Sequence, residues 1–206
     1  MYTHQQQLVT AGVPLSEANK AILMFHGRGG SATAIISLQR FLHLQDMAIV
    51  APQANRNSWY PYSFMAPENQ NQPALDSAMA TIAETMDEID KNGISPANTY
   101  FLGFSQGACL TLEYVARNAQ KYGGIIAFTG GLIGERLVVS HYQGDFEQTP
   151  ILVTTSNPDP HVPLSRVEES VVVLEGLGGQ VELNVYPGKM HSISREELAL
   201  ANQWLL

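Results

Sequence analysis

Residues 103–107, Gly-Phe-Ser-Gln-Gly, constrain this chain more than any other stretch. They fit G-x-S-x-G, and the flanks say more than the five letters do. Upstream, Asn98-Thr-Tyr-Phe-Leu102 is short, aromatic and apolar, as a buried strand should be. Downstream, Ala108, Leu112, Val115 and Ala119 recur at helical spacing, so a helix begins directly after Ser105. A strand that becomes a helix within one turn forces the central residue into a strained backbone conformation, and residues without a Cβ on either side permit it. Taken alone, the pattern also describes a glycine-flanked serine capping a helix. The remaining loops decide between the two.

The rest of the chain alternates in the same way. Strands are expected over 6–13, 20–25, 47–51, 124–129, 150–155 and 181–186. Helices are expected from Ser31 (Ile35, Leu38 and Leu42 on one face), from Pro73 to about Asn92, after Pro163 (Val167, Val171 and Leu174 inward) and at the C-terminal end. In the helix after Pro73, Leu75, Ala78, Met79, Ile82, Met86 and Ile89 form one apolar stripe, and Gly93 ends it. The last helix opens with a capping box, Ser194-Arg-Glu-Glu197, and turns Leu198, Ala201 and Leu205 inward. Residues 132–148 read as irregular with at most one helical turn. Strands that are apolar throughout and separated by helices specify an α/β fold: a mainly parallel central sheet with helices on both faces. No repeat, linker or inserted lid domain interrupts it, so residues 1–206 are expected to form a single domain.

Composition narrows the partners. Eleven basic residues against nineteen acidic ones leave a formal charge of −8, which argues against nucleic acid or an anionic membrane as a standing partner. No apolar run approaches the ~18–20 residues that span a bilayer, and the first seven residues lack the basic-then-apolar order of a signal peptide. A cytoplasmic protein without stable membrane association is expected. Cys109 is the only cysteine, so neither an internal disulfide nor a cysteine-based zinc site is available, and it reads as a small buried thiol. The six histidines are scattered without ligand spacing, so no metal and no cofactor are expected.

In an open α/β sheet the ligand lies beyond the carboxyl ends of the strands. Four loops there carry useful chemistry: His26–Gly30, Ser105, Asp159 and His191. Serine is a poor nucleophile until an imidazole takes its proton, and an acid must fix the tautomer of that imidazole. The order Ser105, Asp159, His191 supplies the three roles. The backbone N–H groups of Arg28 and Gln106 are the candidate oxyanion donors. His161 is a rival base, but two residues beyond Asp159 it is better placed to line the pocket. Asp145 is a rival acid that precedes a strand where it should follow one, and His26 reads as a structural histidine under the Arg28 loop. Gly27-Arg-Gly-Gly30 lacks the Gly-Lys-Ser/Thr ending of a P-loop, and Ala32 stands where a dinucleotide fingerprint needs glycine. The long 52–73 segment, with four prolines and the cluster Trp59-Tyr60-Pro-Tyr-Ser-Phe64, is expected to put Trp59, Tyr60 and Phe64 on an apolar pocket wall.

These residues resemble the phospholipase/carboxylesterase branch of the α/β hydrolases, which includes the acyl-protein thioesterases. The resemblance runs over almost the whole chain. It is carried by His26-Gly-Arg-Gly-Gly, Ala51-Pro-Gln-Ala, Ser58-Trp-Tyr-Pro, Gly103-Phe-Ser-Gln-Gly-Ala, Asp159-Pro-His-Val-Pro and Pro187-Gly-Lys-Met-His191. It implies nucleophile, acid and base at Ser105, Asp159 and His191, oxyanion amides at Arg28 and Gln106, a small-molecule ester substrate and, as in many relatives, a homodimer. Two departures stand out. Ser156-Asn157 replaces a common Gly-Asp pair before the acid, and Arg28 replaces the leucine usual in the thioesterases. Arg28 and the aromatic loop bring the chain nearer to bacterial esterase-like members, so lipid or acylated-protein substrates do not carry over. Two other readings remain: a non-catalytic small-molecule-binding protein on a hydrolase fold, and a dienelactone-hydrolase-like enzyme, whose chemistry favours cysteine where Ser105 stands.

Overall fold

The computed structural model describes residues 3–5 and 7–205. In chain order the elements are β1 (Leu8–Gly12), β2 (Lys20–Phe25), α1 (Ala32–Ile36), β3 (Met47–Pro52), α2 (Glu68–Asn71), α3 (Ala74–Lys91), β4 (Thr99–Phe104), α4 (Gln106–Arg117), β5 (Gly124–Phe128), β6 (Pro150–Asn157), α5 (Leu164–Gly176), β7 (Gln180–Pro187) and α6 (Arg195–Ala201). Of the strand expected over 6–13, Gln6 lies outside the described residues. The strands form one seven-stranded sheet in the order β1-β3-β2-β4-β5-β6-β7. Among the described residues, β1 alone runs antiparallel to its neighbour; β2 to β7 are parallel. Fold class and topology are those of an α/β hydrolase.

Strand periodicity sorts the core into two layers. Ala21, Leu23 and Phe25 of β2 face α3, α4 and α5, while Ile22 and Met24 face α1 and α6. Both faces of β2 to β6 are covered, which is why these strands are mostly apolar and, apart from their ends, buried. β7 lies at the edge and is half-buried, matching its alternating sequence.

Three elements differ from the sequence expectation. The helix after Ser31 makes little more than one turn and tightens into a 3₁₀ turn at Ser37–Arg40. Ser37 Oγ donates to Ala34 O at 2.6 Å, the local back-bonding that competes with helix propagation. Helix α4 is buried on every side from Gln106 to Ala116, not along one stripe, and Ala119 lies past its end. On α5 the inward positions are Arg166, Val167, Ser170 and Leu174, with Val171 only half-buried. Arg166 can sit inward because its guanidinium donates to Leu132 O, Gly134 O and Glu135 O.

The 52–73 segment is anchored at its far end. Arg117 Nη2 donates to Glu68 Oε1 of α2 at 2.8 Å, and its Nε donates to the fully buried Glu113 at 2.7 Å. Glu113 also accepts from the Ile133 N–H at 2.8 Å and the Tyr142 hydroxyl at 3.3 Å. Burial still raises its carboxyl above the ordinary range, against the pull of Arg117 and the Ile133 N–H.

Candidate active site

β4 ends at Phe104 and α4 begins at Gln106, so a single residue makes the turn. That residue, Ser105, has φ 53° and ψ −117°, a region non-glycine residues avoid. Its flanking glycines are required by close approach. A Cβ on Gly103 would lie 2.4 Å from Gly107 O, and one on Gly107 would lie 2.1 Å from Phe25 O. The turn therefore packs directly on the end of β2 and lifts the serine above the carboxyl edge of the sheet.

Three of the expected site residues converge there. His191 Nε2 is 2.8 Å from Ser105 Oγ, and His191 Nδ1 is 2.8 Å from Asp159 Oδ2. The Asp159 side chain is fully buried and that of His191 is 19% exposed. Asp159 Oδ1 accepts from the backbone N–H groups of His161 and Val162, both at 2.9 Å. Burial alone would raise the Asp159 carboxyl; the bond from His191 and those two N–H donors outweigh it and hold the group below its ordinary range. A carboxylate on Nδ1 fixes the tautomer, leaving Nε2 to accept the serine proton. The serine hydroxyl thus donates, and the imidazole accepts.

The Arg28 loop lies against the same turn. A Cβ on Gly27 would sit 3.4 Å from the Ser105 Cβ. Among the described residues, neither the Arg28 nor the Gln106 backbone N–H donates to a protein acceptor. His26 supports the loop from below. It is 1% exposed, its Nδ1 donates to Gly27 O at 2.8 Å, and its Nε2 accepts from the Ala54 N–H at 3.2 Å.

Both residues that offer these amides use their side chains on one segment. Gln106 Oε1 accepts from the Trp59 N–H at 2.9 Å, and its Nε2 donates to Tyr60 O at 2.8 Å. Arg28 Nη1 donates to Ser58 Oγ at 3.0 Å and Pro61 O at 2.9 Å, and Nη2 to Tyr62 O at 2.6 Å. The guanidinium lies 5.9 Å from the centre of the Tyr60 ring. Residues 58–62 are thereby clamped to the Arg28 loop and to the start of α4 together. The sequence signals neither role; both follow only once the segment folds back over the sheet.

The cleft at this point holds about 520 Å³, within the range of small-molecule sites. Ser105, His191, Arg28, Gln106, His161, Tyr60, Tyr62, Phe64, Phe104, Cys109 and Val162 line it. Tyr60 and Phe64 are among the residues that line the cleft. Trp59 is not, and this corrects the sequence expectation. It is fully buried against Phe25 and His26, and its indole N–H donates to His26 O at 2.9 Å. The buried indole N–H finds its partner beneath the Arg28 loop and not in the cleft. His161 is exposed and stands edge-on to His191, with ring centres 4.9 Å apart. Asp145 accepts from the Glu147 N–H and takes no part in the cleft.

The loop carrying His191 is held by a strap that sequence reasoning missed. Lys189 Nζ donates to Ser192 O at 2.5 Å, lies 3.5 Å from Met190 O and pairs with Glu197 Oε2 at 3.1 Å. Glu197 is fully buried, accepts the Thr154 hydroxyl at 2.5 Å and closes the capping box with the Ser194 N–H at 2.7 Å. Ser156, at the position of one departure noted above, lies 2.9 Å from Pro158 O and 2.7 Å from Lys189 O. Its hydroxyl joins the loop of Asp159 to the loop of His191.

A family model described as phospholipase/carboxylesterase matches residues 10–206. The chain belongs to that family. A crystal structure of a phospholipase/carboxylesterase from Dyadobacter fermentans is 62% identical, covers 98% of this chain and 97% of its own, and superposes with a TM-score of 0.97. A probable carboxylesterase, SOBER1-like, of Arabidopsis thaliana is 30% identical over 92% of this chain and 79% of its own length. An acyl-protein thioesterase 1 of Kluyveromyces lactis is 29% identical over 91% of both. The protein is a carboxylesterase-type hydrolase. Among the described residues, no helix is long and apolar enough to cross a membrane.

Proposed function

We propose that the protein hydrolyses carboxylic esters through an acyl-enzyme on Ser105. The hydrogen-bonded chain from Ser105 Oγ to His191 Nε2 and from His191 Nδ1 to Asp159 Oδ2, 2.8 Å at each step, carries this reading. Ser105 Oγ attacks the ester carbonyl carbon while His191 Nε2 takes its proton. Asp159 stabilises the imidazolium without accepting the proton itself. The developing oxyanion sits against the Arg28 and Gln106 amides, whose freedom from protein acceptors supports that role. Collapse of the tetrahedral intermediate breaks the bond to the leaving group, which departs with the proton from His191. Water then attacks the acyl-enzyme, giving its proton to His191, and the second collapse returns that proton to Ser105 and frees the carboxylic acid.

Thioesters present the same carbonyl to the same nucleophile, and the yeast relative bears a thioesterase name. The open, aromatic-walled cleft of about 520 Å³ favours a small acyl or aryl ester. The test is Ser105→Ala, assayed on a short-chain aryl ester. Turnover should fall by roughly four to six orders of magnitude with the fold retained, as judged by circular dichroism. Undiminished hydrolysis by the folded variant would overturn the assignment.

A further inference from the structure

Arg28 carries a second role beyond offering its amide. It lines the cleft, it is exposed, and among the described residues no carboxylate pairs with it. The residues lining the cleft include no aspartate or glutamate. The nearest acid of the site, Asp159, already has both oxygens engaged, by His191 and by two backbone N–H groups. An unneutralised guanidinium beside the reacting serine is anomalous in a chain whose formal charge is −8.

The cation is also held still. Two of its five N–H donors, both on Nη1, go to Ser58 Oγ and Pro61 O, and one on Nη2 goes to Tyr62 O. The acceptors are neutral, so they orient the charge without cancelling it. The two donors left over, on Nε and Nη2, are a pair that one carboxylate can engage with both oxygens. Tyr60, Tyr62 and Phe64 line the cleft beside it and bring no acidic group that would compete for the guanidinium.

We propose that Arg28 selects esters that carry a second, anionic group, a carboxylate on the acyl chain or on the leaving group, and that the cleft is specific for these acidic esters. The inference rests on the hydrolase reading above and names its substrate class.

Two matched pairs of chromogenic or directly monitored esters test it on the intact protein. In one, the para-nitrophenyl monoester of adipic acid is compared with its terminal-amide analogue. In the other, meta-butyryloxybenzoate is compared with meta-butyryloxybenzamide. Each kcat/KM is normalised to the spontaneous rate. In at least one pair the acid should be preferred by about tenfold or more, the factor expected for a charge-assisted hydrogen bond. That preference should shrink toward unity as salt is raised to about 1 M, while the neutral ester is unaffected. Arg28→Gln should abolish the preference, and Arg28→Lys should keep part of it. Because Arg28 also holds residues 58–62, its variants are read only through the ratio of acid to amide, which cancels a general loss of rate. Parity in both pairs, or a preference that survives Arg28→Gln, overturns the proposal while leaving the hydrolase reading intact. Failure of the hydrolase reading would instead show in the neutral esters, as turnover that does not depend on Ser105.

Discussion

The strap behind His191 makes a claim that separates stability from chemistry. In Lys189→Met the buried Glu197 loses the one cationic partner it has among the described residues, 3.1 Å away. At an effective dielectric of about 20 the direct attraction at that distance is about 5 kcal/mol, and desolvation of both ions offsets much of it. What remains after truncation is the larger effect. The Lys189 side chain is 12% exposed and that of Glu197 is fully buried, so the carboxylate cannot reach water. Stranding a buried charge costs about 3–5 kcal/mol. The Thr154 hydroxyl and Ser194 N–H still bind it, which favours the lower end. A loss of about 3 kcal/mol corresponds to a Tm lower by about 6–12 °C for a chain of this length. Lys189→Met/Glu197→Gln removes the stranded charge and keeps the capping box, since glutamine serves at that position. The double variant should therefore be more stable than the sum of the two singles by about 2 kcal/mol in a urea-denaturation cycle. Its kcat should stay low, because Ser192 O and Met190 O, on either side of His191, remain without their shared donor. KM should change little, as the strap does not line the cleft. Additive costs, within about 0.5 kcal/mol, would refute the coupled buried pair. A double variant with full kcat would refute the positioning role.

Two further outcomes follow from groups beside the cleft. Burial, with repulsion from His4 added, holds His26 below its ordinary pKa against the opposing bond to Gly27 O, so the folded state binds that proton less readily than the unfolded chain. The stability it contributes is present above the ordinary value of about 6.5 and is lost as pH falls through the lower folded value. Thermal unfolding followed from pH 7 downward should show Tm falling, with a flatter profile in His26→Asn; identical slopes in the two proteins would contradict this. Burial pushes the Cys109 thiol up to about 12, against the Gly131 N–H, so almost no thiolate exists at pH 8. Iodoacetamide should leave the native protein unlabelled and modify Cys109 only after denaturation, and stoichiometric labelling of native protein would contradict the burial of that thiol.

The parts legible in the sequence were those governed by local pattern. Strand and helix order follow from periodicity, and the turn at Ser105 follows from two glycines that cannot carry a Cβ. The loops bearing Ser105, Asp159 and His191 could be assigned to strand ends because every strand from β2 onward is parallel, so its exit lies on one edge. Lys189 and Glu197 were not legible as a pair. Glu197 announced its capping box, a contact three residues away, but its ion pair depends on how α6 packs behind β6 and β7. Ser156 likewise reads as a departure in a turn, whereas its contacts are with backbone carbonyls on two loops.

Trp59 shows the physical limit of composition as a guide to a pocket. An aromatic cluster in a long loop must bury some of its rings, and the sequence does not say which ring faces the sheet. The indole settles it because its N–H requires an acceptor, and His26 O lies beneath the Arg28 loop. With Trp59 committed downward, its backbone N–H meets Gln106 Oε1, and the buried Tyr60 ring lies 5.9 Å from the Arg28 guanidinium. The side chains of Arg28 and Gln106, the two residues whose amides are proposed for the oxyanion, then both bind residues 58–62. A leucine at position 28 would leave Pro61 O, Tyr62 O and Ser58 Oγ without the guanidinium that gathers them. Arg28 is therefore more than a bystander in its glycine-rich loop. It fixes the wall of the cleft and sets its charge at once, which is why substrate preference in this chain is to be sought at Arg28 before the aromatic residues around it.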